Sequence, residues 1–545
     1  MNTLVERSSP EARASAILER WSPGFYLILL VGLCLLETAL GAMPTRVYAH
    51  DYFMFLDGAW RMVNGQVPNR DFFSGYGILV WYPLRGALSL YGYDINSLGL
   101  ARALFTAGIG VWFFLLSRLM PRGSLSVLPG IFILVFVSAA RPIGEYPTWI
   151  SHAMFYERVG YSLVMLIIFE QLHISRFEGV AGPREANPWI MFLRGVSTGA
   201  ALVCAPLINV SFFVPALVLL ITGLSLFGIH RRQLAGILAG SLAALTFAVA
   251  CLHLRPVFFL RELTQPAHQL EAITGEALRT LVTESGMFLF ILAAGFVVVA
   301  TKGITRSVAL KYLLATVVIE ACDLYCRATD SLGGELPLAS FWCLSCAILL
   351  LAFPASSEVS RLRRQRVMAM LVLCGLAVPI FADDLASTVY AAFKTVMVRR
   401  HPAPRIDAAR LQRWDPQDWL GKDPNYFGRN GQHLVQATND GIHLLERASR
   451  PDESVFCLAY ANPFPFALDR KPSPGGTLTL NAVSLAHPLP EEVVLGHPDL
   501  LMVEQPNFVE QPAMDTILAL YPGLLTNEFA EVAKSEYWTL YRRRQ

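Results

Sequence analysis

The most informative set of ionisable side chains in the 545-residue chain lies between His50 and Gly77, in HDYFMFLDGAWRMVNGQVPNRDFFSGYG, where Asp51, Asp57 and Asp71 stand with Arg61 and Arg70. The chemistry open to such a set is proton transfer: a carboxylate within hydrogen-bond reach of an attacking hydroxyl can accept its proton if its pKa suits the working pH. A polar insert of this kind, just after an apolar block, reads as a site rather than a linker. Phe53, Leu56, Trp60 and Val63 recur at helical spacing, so a helix here lays an apolar stripe into the membrane interface and turns Asp51, Asp57 and Arg61 to other faces. Asn64-Gly65 ends it, Pro68 to Phe73 follows as an extended segment or turn, and Tyr76 to Leu90 predicts a second interface helix carrying Arg85. Asp57 is expected to be solvated surface.

Three other polar segments flank apolar blocks. In Ser151 to Arg158, His152 and Glu157 are five apart, a poor match to a helical metal pair. With Asp51 or Asp71, Glu157 can still hold a hard divalent cation through oxygen ligands; its alternative is a salt bridge to an arginine of the bundle. In 255–285, Arg261 and His268 share a helical face and suit a phosphate or sugar contact, against a purely structural histidine. In 323–336, Asp323, Arg327, Asp330 and Glu335 mark either a cavity wall or an ion-pair network, and Glu320 one turn deeper is expected to face the bundle interior. The cysteines add little: Cys343 and Cys346 fit a helix core, Cys322 and Cys326 sit at a span mouth, and Cys457 stands alone.

These segments are positioned by a membrane bundle. The chain is 54% hydrophobic and 16% charged, with apolar blocks near the roughly 20 residues an α-helix needs to cross a bilayer. Spans are predicted at 23–43, 97–117, 124–140, 158–172, 190–206, 208–229, 235–254, 286–301, 307–322, 337–354 and 367–386. Arg7, Arg13, Arg20, Arg118, Arg122, Arg176, Arg184, Arg231, Arg232, Lys302, Arg306 and Arg361 to Arg366 make every second connection basic, which puts the N-terminus (1–22) in the cytoplasm. The connections at 44–96, 141–157, 255–285 and 323–336, and all beyond about 387, then share the outer face. The expected fold class is mostly α: a polytopic bundle over 23–400 with a small α/β domain over 401–545 on the outer side. Within that domain, strands are predicted at Ser454–Tyr460, Leu500–Val503 and Tyr537–Arg542, and helices at Leu434–Ala448 and Ala513–Tyr521.

Asp51, Phe55-Leu56, Ala59, Arg61, Gly65, Pro68 and Arg70-Asp71-Phe72-Phe73 resemble, in order and spacing, the first outer loop of GT-C superfamily membrane glycosyltransferases. The likeness is to the bacterial protein O-mannosyltransferase and aminoarabinose transferase type, and extends to the plan of bundle, long outer loops and outer α/β domain. It implies a bacterial inner-membrane enzyme with a periplasmic C-terminal domain. Such an enzyme passes a sugar from a polyprenyl-phosphate carrier to an acceptor hydroxyl on a glycan, lipid or protein of the cell envelope, with inversion. By resemblance Asp51 takes the place of the general base; capping of the interface helix is its alternative. Asp71 is a second acidic candidate or the closer of an Asx-type turn.

The chain departs from the family pattern twice. Tyr52 stands where many relatives have glutamate, and Tyr76-Gly77 stands where many have lysine-proline. The carrier phosphate then needs another cation, and Arg61, Arg70, Arg158 and Arg261 lead the candidates, with Arg85, Arg255 and Arg327 behind. His50, Tyr76, His152, His268, Arg327 and Asp330 are candidate substrate contacts.

A net charge of +2 without a dense basic stripe argues against nucleic acid. The C-terminal region has no glycine-rich phosphate loop, H-E-x-x-H or G-x-S-x-G, which disfavours a separate hydrolase or nucleotide enzyme. Two other classes stay open. A lipid-linked saccharide flippase needs polar residues at the bilayer midplane and usually paired halves. A non-catalytic envelope assembly subunit predicts replaceable loop carboxylates.

Overall fold

The computed structural model describes residues 10–120, 126–172, 187–228, 230–254, 295, 306–330, 335–352, 360–400, 405–416, 431–480, 490–505, 518–521 and 523–544. Its apolar blocks are helices, because in hydrocarbon each backbone N–H and C=O must find its partner within the segment. In order these are α1 (Pro10–Leu40), α2 (His50–Val63), α3 (Trp81–Tyr91), α4 (Ser97–Leu119), α5 (Pro129–Ser138), α6 (Phe155–Gln171), α7 (Pro188–Ile208), α8 (Phe213–Phe227), α9 (Arg231–Ala250), α10 (Arg306–Asp330), α11 (Pro337–Ala352) and α12 (Ser360–Arg400). Among the described residues six stretches are long and apolar enough to cross a membrane: Arg20–Leu40, Ser97–Leu119, Pro188–Ile208, Val210–Phe227, Arg231–Ala250 and Leu371–Arg400.

The spans expected at 307–322 and 337–354 are helices α10 and α11, which are not among these six, and three others differ. At 124–140 the described helix has only 10 residues, about half a bilayer core at 1.5 Å per residue. At 158–172 all 17 residues of α6 are buried inside the protein, so its apolar character serves the core and not lipid. The span expected to end at 386 runs on to Arg400, its outward face continuing through Val389, Phe393 and Val396. The span expected at 286–301 lies outside the described residues, apart from 295.

Close helix approach is built from glycine. Gly195 and Gly199 of α7 press on the carbonyls of Gln233 and Ile237, while Gly236 and Gly240 of α9 press on those of Phe192 and Val196. Any Cβ there would stand about 2 Å from a carbonyl oxygen, so the small residues set the interhelical spacing. Charges inside the helices are paired near their ends: Glu37 with Arg102 at 3.5 Å, and Glu170 with Arg194 at 3.1 Å. Glu320 is buried, as its depth implied. Asp323 caps α11 by accepting from the Leu338 and Ala339 amides at 3.1 and 2.7 Å.

The polar connections gather at one end of the bundle. Gly77 donates to the Ile208 carbonyl at 2.9 Å, Tyr82 to the Leu252 carbonyl at 3.0 Å, and Arg141 to Glu335 at 2.6 Å. The same end carries the C-terminal unit: helix α13 (Gly431–Ala448) and strands β1 (Val455–Leu458), β2 (Leu500–Glu504), β3 (Phe529–Lys534) and β4 (Trp538–Arg543). The sheet order is β1-β2-β4-β3, with β1 and β2 parallel and the other pairs antiparallel. Side chains alternate across it. Val455, Cys457, Leu500, Met502 and Leu540 join a core continuous with the bundle, while Phe456, Leu458, Leu501, Val503 and Phe529 form a separate cluster on the other face. Of the helix expected at 513–521, only 518–521 is described.

Candidate functional site

Helix α2 carries the site, as its apolar spacing implied. Its N-cap residue, Ala49, has no side-chain cap, so Asp51 does not spend its carboxylate on the helix end. Instead Asp51, 3% exposed, accepts a 3.0 Å hydrogen bond at Oδ1 from the phenol of Tyr460, on the turn that follows β1. His50 Nε2 lies 3.3 Å from the same oxygen. The His50 ring meets Tyr460 edge-on at 4.1 Å between centroids, and burial pushes its pKa down to about 3, which keeps the imidazole neutral. Burial raises Asp51 to about 7, and the Tyr460 hydroxyl opposes that rise by favouring the ionised form.

Across from Asp51 lies the start of α6. Tyr156 is within electrostatic range of both Asp51 and Glu157, and its phenol is hydrogen-bonded to that of Tyr76, with ring centroids 4.6 Å apart. Glu157 is itself buried, in the first turn of α6. The fold thus brings together Asp51, His50, Tyr76 and Glu157 from separate connections, joined through two tyrosines, Tyr156 and Tyr460.

The arginines do something else. Arg61 is fully buried, pairs with Asp57 at 3.1 Å, and donates to the Ser473 and Gly475 carbonyls at 3.1 and 2.6 Å. Expected at the carrier phosphate, it is bolted instead to the C-terminal unit. Asp57, expected on the surface, is 0% exposed, because a helix lying between bundle and sheet has no solvated face at that position. Arg158, also expected at the phosphate, shares Asp384 with Arg141 at 3.0 and 3.1 Å and donates to the Phe136 and Arg141 carbonyls. Among the described residues no arginine lies within ion-pair distance of Asp51.

Arg70 is the expected phosphate residue that stays accessible. It pairs with Asp71 at 2.5 Å, both side chains being 32% exposed. The Asp71 carboxylate also accepts from the Val67 amide at 2.8 Å, closing a tight turn. That turn pairs with the C-terminal unit: the Phe73 amide donates to Gly476 O at 2.9 Å, and the Leu478 amide to Phe73 O at 3.0 Å. Arg70 and the exposed Arg85 of α3 both act electrostatically on Tyr82.

His152, a candidate substrate contact, is enclosed: its ring bridges Arg102 at 3.1 Å and the Gly41 carbonyl at 2.7 Å. Burial and Arg102 hold its pKa well below the usual range. Arg327 is half-buried in the last turn of α10. Arg255, Arg261, His268 and the side chain of Asp330 lie outside the described residues. No group of three His, Cys, Asp or Glu among the described residues can hold a metal ion. Of the carboxylates expected to share a cation with Glu157, Asp71 is engaged by Arg70 and the Val67 amide. All nine cysteines are free.

The two departures from the family pattern have structural reasons. The Tyr52 hydroxyl accepts from the His152 amide at 3.0 Å, and its ring stacks on Trp414 at 5.0 Å. Gly77 lies so close to α7 that a Cβ would stand 2.1 Å from the Leu207 carbonyl. Its amide is also a donor, which proline lacks.

No family model matches the chain, and no curated protein is similar to it in sequence. Among solved structures, the crystal structure of ArnT from Cupriavidus metallidurans in the apo state is similar at a TM-score of 0.40 and 13% identity, over 95% of this chain and 97% of that one. A likeness of that size carries no argument about activity.

Proposed function

We propose that the protein is an integral membrane glycosyltransferase of the GT-C type, taking a sugar from a polyprenyl-phosphate carrier at the outer face of a bacterial inner membrane. Asp51 is the general base. Its Oδ2 accepts the acceptor's hydroxyl proton as that oxygen bonds to the anomeric carbon. The bond from that carbon to the carrier oxygen breaks, and polyprenyl phosphate leaves with the electron pair and inversion. Arg70 and Arg85, both exposed and both acting on Tyr82, are the cations that would meet the phosphate, with Arg261 a candidate for the same duty. Glu157 and the Tyr76–Tyr156 pair line the acceptor side.

One observation carries this reading: Asp51 is a buried carboxylate held by a neutral phenol, with a pKa raised to about 7. Asp57 is matched with a cation and both oxygens of Asp323 are taken up by α11 amides, whereas among the described residues the contacts to the Asp51 carboxylate end on Oδ1. The resemblance of the Asp51 to Phe73 segment to the superfamily's first outer loop supplies the reaction class. The test is transfer from a labelled polyprenyl-phosphate sugar in membranes carrying the wild type or Asp51→Asn. Retained transfer by the variant removes Asp51 as base; no transfer by the wild type with any such donor removes the enzyme class.

A further inference from the structure

We infer that Tyr460 is the positioning residue of the Asp51 carboxylate: its phenol holds Oδ1 and leaves Oδ2 directed at the acceptor, so the site is complete only with the C-terminal unit docked. This rests on the transferase reading above.

The bond is 3.0 Å long and joins residues 409 apart in sequence. Among the described residues, both contacts to this carboxylate, from Tyr460 and His50, end on Oδ1. The turn bearing Tyr460 is fixed at both ends. Asn462 donates to the Val455 carbonyl of β1 at 2.9 Å, and the Tyr460 carbonyl accepts from the Leu480 amide at 3.2 Å. Docking is fixed separately. Trp60 donates to the Arg470 carbonyl at 2.8 Å, and Arg410 stacks between Trp60 and Phe466. The His50 ring, edge-on to Tyr460, holds the phenol in line.

The titratable groups facing Asp51 among the described residues are His50 on its own helix, Tyr460 from the C-terminal unit, and Tyr156 from α6. Only Tyr460 and His50 touch it. His50 is kept neutral by burial, so the phenol is the donor whose loss most directly favours the protonated acid.

Tyr460→Phe keeps the ring and its contact with His50 while deleting the hydroxyl. In the full-length protein in lipid nanodiscs, the acid limb of the transfer profile should move up by about one pH unit, since a hydrogen bond to a charged acceptor has about that value. The rate at neutral pH then falls about fivefold and recovers in base, with donor KM unchanged. An infrared titration of the carboxyl band assigned through Asp51→Asn reads the same displacement without turnover. An unmoved Asp51 titration in Tyr460→Phe overturns the proposal. A wild type that transfers no sugar, yet shows the displacement, sinks the transferase reading and leaves the positioning role standing.

Discussion

Asp51 and Asp57 leave the same helix less than two turns apart. Both are buried where bundle and C-terminal unit meet, and they serve opposite ends. Asp57 faces a guanidinium whose Nη1 is tied to two backbone carbonyls, so its charge is matched and the pair acts as a bolt. Among the described residues Asp51 meets a phenol and a neutral imidazole and no cation, and burial lifts its pKa. Desolvation also pushes Asp57 up, but there Arg61 pulls back. Burial alone therefore does not mark a reactive carboxylate; the type of partner does. Arg141 and Arg158 around Asp384 repeat the bolt in the bundle.

The widest separation between the two ends is expected in activity. Asp51→Asn should lower transfer by about 10²–10⁴-fold, the usual worth of a general base, and leave thermal unfolding in detergent nearly unchanged. An equal loss in Asp57→Asn, with the fold intact, would erase the distinction. Next comes Arg61→Ala, which strands the Asp57 charge and should cost about 3–5 kcal/mol, as broken buried pairs do. Denaturant unfolding followed by tryptophan fluorescence checks it. Wild-type transfer should fall tenfold for each pH unit below about 7 and level off above it, because the ionised Asp51 is the active form. Residual activity in Arg61→Ala should keep that midpoint. The smallest effect on stability belongs to Arg70→Ala: an exposed ion pair contributes about 0–1 kcal/mol, so unfolding stays put while donor KM rises.

Much of the architecture was legible from pattern. The apolar blocks became helices, and strands β1, β2 and β4 arose where compact apolar runs stood. The missed strand, β3, is an edge strand with a single fully buried side chain, Phe529, and so has no alternation to detect. The lengths of α5 and α12 were misread because hydropathy reports that a side chain avoids water, whichever of lipid or protein covers it. In the site, Asp51 was legible as an ionisable residue at the head of an amphipathic helix. The protein partners of Arg61 and Arg158 were not legible, because a cation near the interface looks the same whether its partner is a ligand or a residue far along the chain.

By itself the sequence determined the helices, the end of the bundle where polar loops collect and the α/β character of the C-terminal unit, since each follows from local periodicity and solvent preference. Only the tertiary structure decided which acid faces an arginine and which faces a tyrosine. That choice depends on contacts spanning more than four hundred residues, Tyr460 to Asp51 and Ser473 to Arg61, and no local pattern encodes a partner so far away.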